Sequence, residues 1–193
     1  MKTLEDTIAF HGHICPGLVI GYRVSLYALK KPVKRAEDEE LVAIVENNSC
    51  AVDAVQVMTG CTFGKGNLFF RDYGKQVYTF LRRPSGKGIR IAVSWNPPEE
   101  TAEERIMWER YMNGDRTKKV LETIHRRKTR KIDSLMHARD TELFRITKSS
   151  SGLPEEARIY TSIPCETCGE KVMEPRARVK DGKIVCIPCF ENI

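Results

Sequence analysis

The chain has 193 residues, 41% hydrophobic and 30% charged, with 13 Gly and 9 Pro, a balance that excludes a disordered, collagenous or low-complexity polymer. Its length allows one ordinary domain plus a small second one, with enough core to fold without a disulfide framework. Net charge is +6, and no apolar run approaches the roughly 18 residues that a membrane span requires.

The first residues, Met-Lys-Thr-Leu-Glu-Asp-Thr, are acidic where a signal peptide is basic and then apolar. The expected address is cytoplasmic, with reduced thiols. Thr3–Phe10 reads as a short helix. His11–Gly17 is broken by Gly12, Pro16 and Gly17 and reads as a loop. Leu18–Leu29 has helical spacing, so its N-terminus, with unpaired N–H groups, falls just after Cys15. Leu41–Val45 is a buried strand. Asn47, Asn48 and Ser49 are capping residues before a helix over Cys50–Met58. Thr59–Gly66 is a glycine-rich loop. Strands follow at Asn67–Arg71, Gln76–Arg82 and Ile89–Trp95, with turns at Asp72-Tyr73-Gly74 and Pro84–Gly88. Thr101–Met112 and Arg116–Lys128 read as two helices, with a shorter one near Ile132–Ala138. Residues 149–154, Ser-Ser-Ser-Gly-Leu-Pro, read as a linker. The expected fold is α+β: helices on a small, largely antiparallel sheet, then a helical segment and a small metal module. The expected domains are a core over 1–148, a linker over 149–164 and a finger over 165–193.

The charge excess is local. Residues 116–131 carry eight basic groups and one acid, Glu122, whereas residues 165–193 are neutral. Such a run reads either as a solvated helix face or as a nucleic-acid footprint. No aromatic side chains interleave it, so the stacking signature of single-strand binders is missing.

The seven cysteines fall into two groups. Cys165 and Cys168, then Cys186 and Cys189, form two Cys-x-x-Cys pairs. Two such turns complete a tetrahedral four-thiolate shell suited to structural Zn²⁺. Asp181-Gly182 supplies a hairpin turn between the pairs, and the pattern is a treble clef or ribbon. A module of this size has little core, so the metal supplies its folding energy.

Cys15, Cys50 and Cys61 lie in the first third. Residues 10–17, Phe-His-Gly-His-Ile-Cys-Pro-Gly, place His11, His13 and Cys15 at alternate positions, which share a side in an extended loop. Asp53 lies three residues past Cys50, on the same helix face. Cys61 sits in the glycine-rich loop beside Lys65, a candidate anion partner. That loop lacks the spacing of a nucleotide-hydrolase loop. The five residues His11, His13, Cys15, Cys50 and Cys61 are expected to meet in one pocket. His13, Cys50 and Cys61 are the favoured ligands of a second transition metal (Zn, Ni or Fe). Cys15, beside a helix N-terminus, is the candidate nucleophile. His11, Asp53 and Lys65 join it as candidate catalytic or substrate-binding groups. His125 and His137 read as surface or packing residues.

Taken with Asn-Ser-Cys-x-x-Asp at 48–53, Thr-Gly-Cys-Thr-x-Gly-Lys-Gly at 59–66 and Asp-Tyr-Gly-Lys at 72–75, the histidine loop resembles the family of E subunits of formylmethanofuran dehydrogenase. The C-terminal cysteines resemble the zinc finger that many members append. The resemblance covers roughly residues 4–82 and 158–193. It implies a homodimeric α+β core, a treble-clef finger, and a pocket where the histidine loop meets the other cysteines, with a transition metal in some members. Residue by residue, it points to His11, His13, Cys15, Cys50 and Cys61, with Asp53 and Lys65 behind them or on substrate. Three functions follow as expectations. One is an enzyme, or part of one, with a His/Cys metal site serving one-carbon chemistry on formyl groups or carbon dioxide. Another is an accessory or regulatory metal-dependent protein docking on dehydrogenase subunits. The third and least favoured is a nucleic-acid binder.

Overall fold

The computed structural model describes residues 2–30, 34–150 and 152–193. It divides into two units, Met1–Glu156 and Ala157–Ile193.

The first unit opens with α1 (Leu4–His11), started by a reciprocal capping box. Asp6 N–H donates to Thr3 Oγ1 at 3.3 Å and Thr3 N–H to Asp6 Oδ2 at 2.8 Å, which satisfies two otherwise orphaned donors. Helix α2 (Pro16–Lys30) has proline at its first position, where no N–H is needed. Strand β1 (Leu41–Val45) is followed by α3 (Ala51–Thr59) and then β2 (Leu68–Phe70). β1 and β2 pair in parallel, which demands a crossover, and α3 supplies it. Strands β3 (Val77–Arg82), β4 (Gly88–Val93) and β5 (Phe144–Ser149) add antiparallel partners. The sheet order is β2-β1-β3-β4-β5.

The core lies among Val19, Val24 and Ala28 of α2, Ala51 and Val55 of α3, and Ala43, Val45, Tyr78, Phe80 and Ile91 of the sheet. Along α2 the buried positions Leu18, Gly21, Val24, Ser25 and Ala28 follow the helical period. Two of this helix's glycines set how close α3 comes. A methyl group placed on Gly21 would stand 2.1 Å from the Ala51 carbonyl oxygen, and one on Gly17 would stand 3.3 Å from Cys50 Cβ. Gly21 leaves no room for a side chain against the start of α3, and Gly17 leaves room only if Cys50 gives by a few tenths of an ångström.

Helices α4 (Ala102–Met112) and α5 (Lys118–His137) form a hairpin, and the short α6 (Asp140–Leu143) leads into β5. The two helices expected over 116–138 are one, because nothing between Lys128 and Ile132 breaks the backbone. Strand β5 is not among the expected elements. It runs to Ser149 along β4, through the start of the expected linker. Beyond it, Arg83 reaches the Glu155 carbonyl at 3.2 Å and the Glu156 carboxylate at 3.8 Å. The first unit therefore ends later than the expected residue 148. Ser151 of that linker lies outside the described residues.

The basic run is spent largely inside the hairpin. Arg127 and Lys131 share Glu100, Arg130 holds Glu104, Lys119 holds Glu103 and Lys118 holds Glu122. Arg127 also lies 4.3 Å over the Trp108 ring. His125 and His137 are exposed.

The second unit pairs β6 (Ser162–Pro164) with β7 (Lys171–Met173), passes through a 3₁₀ turn at Glu174–Arg176, and pairs β8 (Arg178–Lys180) with β9 (Lys183–Val185). Asp181 and Gly182 both take positive φ in that hairpin turn, as a two-residue turn requires. The chain ends in α7 (Ile187–Glu191). No described helix is long and apolar enough to cross a membrane.

Gly21→Ala should destabilise the first unit by about 3 kcal/mol, the upper end of ordinary overpacking, read as a lowered urea midpoint. Gly64→Ala, with open space around it, should change stability by less than about 0.5 kcal/mol.

Candidate functional site

Two clusters bring metal-ligating atoms together among the described residues. In the second unit the four sulfurs of Cys165, Cys168, Cys186 and Cys189 lie within 4.8 Å of one another, with Cys168 and Cys186 at 3.9 Å. A tetrahedral ion with Zn–S bonds near 2.3 Å separates its sulfurs by about 3.8 Å, so the cage has the right size. The Cys186 N–H donates to Cys165 Sγ at 3.3 Å. Among the described residues only Val172 and Val185 add apolar packing around the cage, which leaves a metal to organise the unit.

The second cluster is in the first unit: His11, Cys15 and Cys50, their ligand atoms also within 4.8 Å of one another. Each residue sits at a helix end. His11 closes α1, where Gly12 turns left-handed at φ 93°. Cys15 immediately precedes α2, and its sulfur accepts the Leu18 N–H at 3.3 Å, capping that helix. Cys50 immediately precedes α3. The α2–α3 approach through Gly17 brings the two thiols side by side.

Asp53, one turn into α3, fixes the imidazole. His11 Nδ1–H donates to its carboxylate at 2.7 Å, and the His11 side chain is only 12% exposed. That bond leaves Nε2 with its lone pair, 4.0 Å from Cys15 Sγ. A tetrahedral ion with N and S ligands holds them about 3.6 Å apart. Burial first, then the neighbouring Cys15 thiol, pushes the Cys50 thiol above its ordinary value.

The turn before Cys50 is held by a buried polar network. Asn47 Oδ1 accepts from Ser49 N–H at 3.1 Å and from Ser49 Oγ at 2.7 Å. Asn47 Nδ2 donates to the Lys75 carbonyl at 2.8 Å. Gln76 Nε2 donates to Ser49 Oγ at 3.2 Å, and Tyr78 O–H donates to Gln76 Oε1 at 2.6 Å. Asn47 and Ser49 signal a cap in the sequence. Gln76 and Tyr78 give no signal there, since only the β1–β3 pairing places them beside it.

The other expected members lie elsewhere. His13 is exposed and rests its ring on that of His11, centroids 4.7 Å apart, outside the ligand cluster. Because His11 belongs to α1 and Gly12 turns the chain, the two rings do not alternate along an extended loop. Cys61 is fully buried in the apolar core, its thiol donating to the Leu41 carbonyl at 3.4 Å; it packs and ligates nothing. Lys65 Nζ donates to the carbonyls of Glu37 and Asp38 at 3.3 and 3.4 Å. Buried Asn67 ties Thr62 N–H to the carbonyls of Asp38 and Leu41. The glycine-rich loop is thus a latch on the entry to β1 rather than an anion site.

Burial pushes the Cys61 thiol from its ordinary 9.0 to about 11. Between those values the unfolded chain has lost a proton that the folded chain keeps, so stability falls as pH rises through that window. Urea unfolding across it should show this decline, and Cys61→Ala should flatten it.

The chain matches the family described as "FmdE, Molybdenum formylmethanofuran dehydrogenase operon" over residues 10–145, and the "Prokaryotic dksA/traR C4-type zinc finger" over residues 158–192. A curated relative from Archaeoglobus fulgidus, described as a "Probable S-adenosyl-L-methionine-binding protein", is 32% identical over 192 residues, covering 93% of this chain and 50% of the relative. The chain thus spans about half the length of that relative. Among solved structures, an FmdE-like protein of the tungsten formylmethanofuran dehydrogenase type from Syntrophus aciditrophicus has the same fold, with a TM-score of 0.62, 23% identity, and coverage of 98% of this chain and 90% of that one. With its core matched across both the histidine loop and the α2–α3 thiols and its tail matched as a four-cysteine finger, the chain belongs to the FmdE family.

Proposed function

We propose that the first unit is a transition-metal centre, with His11 Nε2, Cys15 Sγ and Cys50 Sγ as its protein ligands. The observation that carries the reading is their convergence within 4.8 Å from three separate helix ends. Mixed imidazole and thiolate donors suit Zn, Ni or Fe over Mg or Ca. The Asp53–His11 bond is the carboxylate support that metal-bound histidines ordinarily have. Three protein ligands are the number found in sites that act on substrate, whereas the four cysteines of the finger close theirs. Such a metal, when bound, polarises a carbonyl oxygen or acidifies a water.

The reaction class we propose is one-carbon chemistry on a formyl or carboxyl group, supported by the operon for which the family is described. The chain's own residues would position the ion and shield it. Asp53 holds the imidazole tautomer, Leu18 N–H supports the Cys15 thiolate, and the Asn47–Ser49 turn fixes Cys50. The same proposal places the protein in the cytoplasm, as a homodimer in contact with dehydrogenase subunits, on the family resemblance.

Metal analysis of chain purified under reducing, anaerobic conditions tests the centre. Two metal ions per chain are expected. His11→Ala, Cys15→Ser and Cys50→Ser should each leave only that of the finger, while Cys186→Ser should lose the finger's and keep the other. His13→Ala and Cys61→Ala should retain both. One ion per chain in the unaltered protein, lost with Cys186→Ser, overturns the proposal.

Asp53→Asn should keep the fold and weaken the core metal by about 10–100-fold, the usual cost of losing a carboxylate behind a ligating histidine. Competition against a chromophoric chelator measures it.

A further inference from the structure

The two thiols of the core cluster have a second chemistry open to them. Cys15 and Cys50 come from segments 35 positions apart, yet their sulfurs lie within 4.8 Å. Both are half-buried. A disulfide needs S–S near 2.05 Å and Cβ atoms about 3.5–4.5 Å apart, so the sulfurs must swing toward each other. Gly17 of α2 lies beside both sulfurs, each 3.9 Å from where a methyl group on it would stand.

We propose that Cys15 and Cys50 form a reversible disulfide by exchange with low-molecular-weight disulfides. The surroundings make the two sulfurs unequal. Cys15 has the Leu18 N–H at 3.3 Å, the N-terminus of a 15-residue helix behind it and His11 Nε2 at 4.0 Å. His11 Nε2 is thereby the acceptor placed for the Cys15 proton. Cys50 makes no bond to the first turn of its own helix. Cys15 is therefore the attacking thiol and Cys50 the resolving one.

In the first step the Cys15 proton passes to His11, and the thiolate attacks one sulfur of the small disulfide. The S–S bond breaks, and one small thiolate leaves with that proton. In the second step Cys50 gives its proton to His11 and attacks Cys15 Sγ. The mixed disulfide breaks, and the second small thiolate leaves, taking up that proton. Two protein thiols are oxidised, and one disulfide is reduced to two thiols. The bond stands independently of the proposed metal. Its consequence rests on that reading: oxidation would remove two of three ligands, so core metal and disulfide exclude each other.

The test is to treat the full-length chain, zinc-loaded in the finger and stripped of core metal, with oxidised glutathione, then alkylate and map peptides without reduction. A Cys15–Cys50 cross-linked peptide is expected, with Cys61 recovered alkylated or, because it is buried, free only after unfolding. Cys50→Ser should instead accumulate glutathione on Cys15, with no cross-link. Dithiothreitol should restore both thiols in the unaltered chain. Glutathione on both cysteines without the cross-link, or both recovered as free thiols, overturns the proposal. Core metal measured in the chain as purified, beside cross-linking of its metal-free form, separates the two readings. A cross-link in a chain that never holds core metal defeats only the metal centre. Core metal in a chain whose metal-free form never cross-links defeats only the disulfide.

Discussion

Everything at the core site depends on how closely two helices approach. Gly17 and Gly21 lie four positions apart on α2 and so on one face, and the start of α3 lies against that face with Ala51 O where a side chain would otherwise be. Cys15 comes immediately before this helix and Cys50 immediately before Ala51. The contact that closes the core therefore also determines the separation of the thiols. Packing and thiol spacing thus share one contact, in which Gly21 leaves no room for a methyl group and Gly17 little.

Around that contact the fold fixes orientation by polar bonds. Asp53 projects from the first turn of α3 to His11 at the end of α1, tying α1 into the arrangement. The Asn47, Ser49, Gln76 and Tyr78 network does the same from the sheet side. A buried network of this kind is costly when partly satisfied and rigid when complete. Here it sits directly behind the turn that presents Cys50. The helical hairpin shows the opposite use of polarity. Its pairs range from the exposed Lys118–Glu122 and Lys119–Glu103, each worth roughly 0–1 kcal/mol, to the half-buried ones that Glu100 and Glu104 make, and they neutralise within the chain much of a charge that composition alone displays as excess.

The finger was legible in the sequence because its information is local: two Cys-x-x-Cys turns and an Asp-Gly hairpin fix the cage without reference to distant residues. The α+β class and most elements were legible from periodicity for the same reason. The core site was legible only in outline. His11, Cys15, Cys50 and Asp53 do meet, but the spacing of the histidine loop does not tell which ring enters the cluster, and the left-handed turn at Gly12 leaves His13 outside it, stacked on His11. Cys61 has the same company in the sequence as a ligand has, yet Gly60 turns it under β1 and into the core. Strand β5 and the unbroken α5 lie where no glycine or proline marks a boundary, so the sequence carries no local signal for their limits. The partnership of Gly17 with Cys50 depends on helix packing, which no short window contains.

One contact midway along α2 has a mechanical consequence. Arg23 spreads its guanidinium over the last carbonyls of α5, those of Leu135 and Met136, and that of Ala138 beyond them, and also pairs with Asp140 at 3.0 Å. A helix of 15 residues is a rod of about 22 Å. This one is clamped at its middle to the root of the helical hairpin and carries the Cys15 sulfur just before its first turn. The five donors of an arginine fork grip direction as well as position. The end of the hairpin and the helix start that presents Cys15 are thus joined through one side chain, and the two cannot shift relative to each other without breaking its bonds.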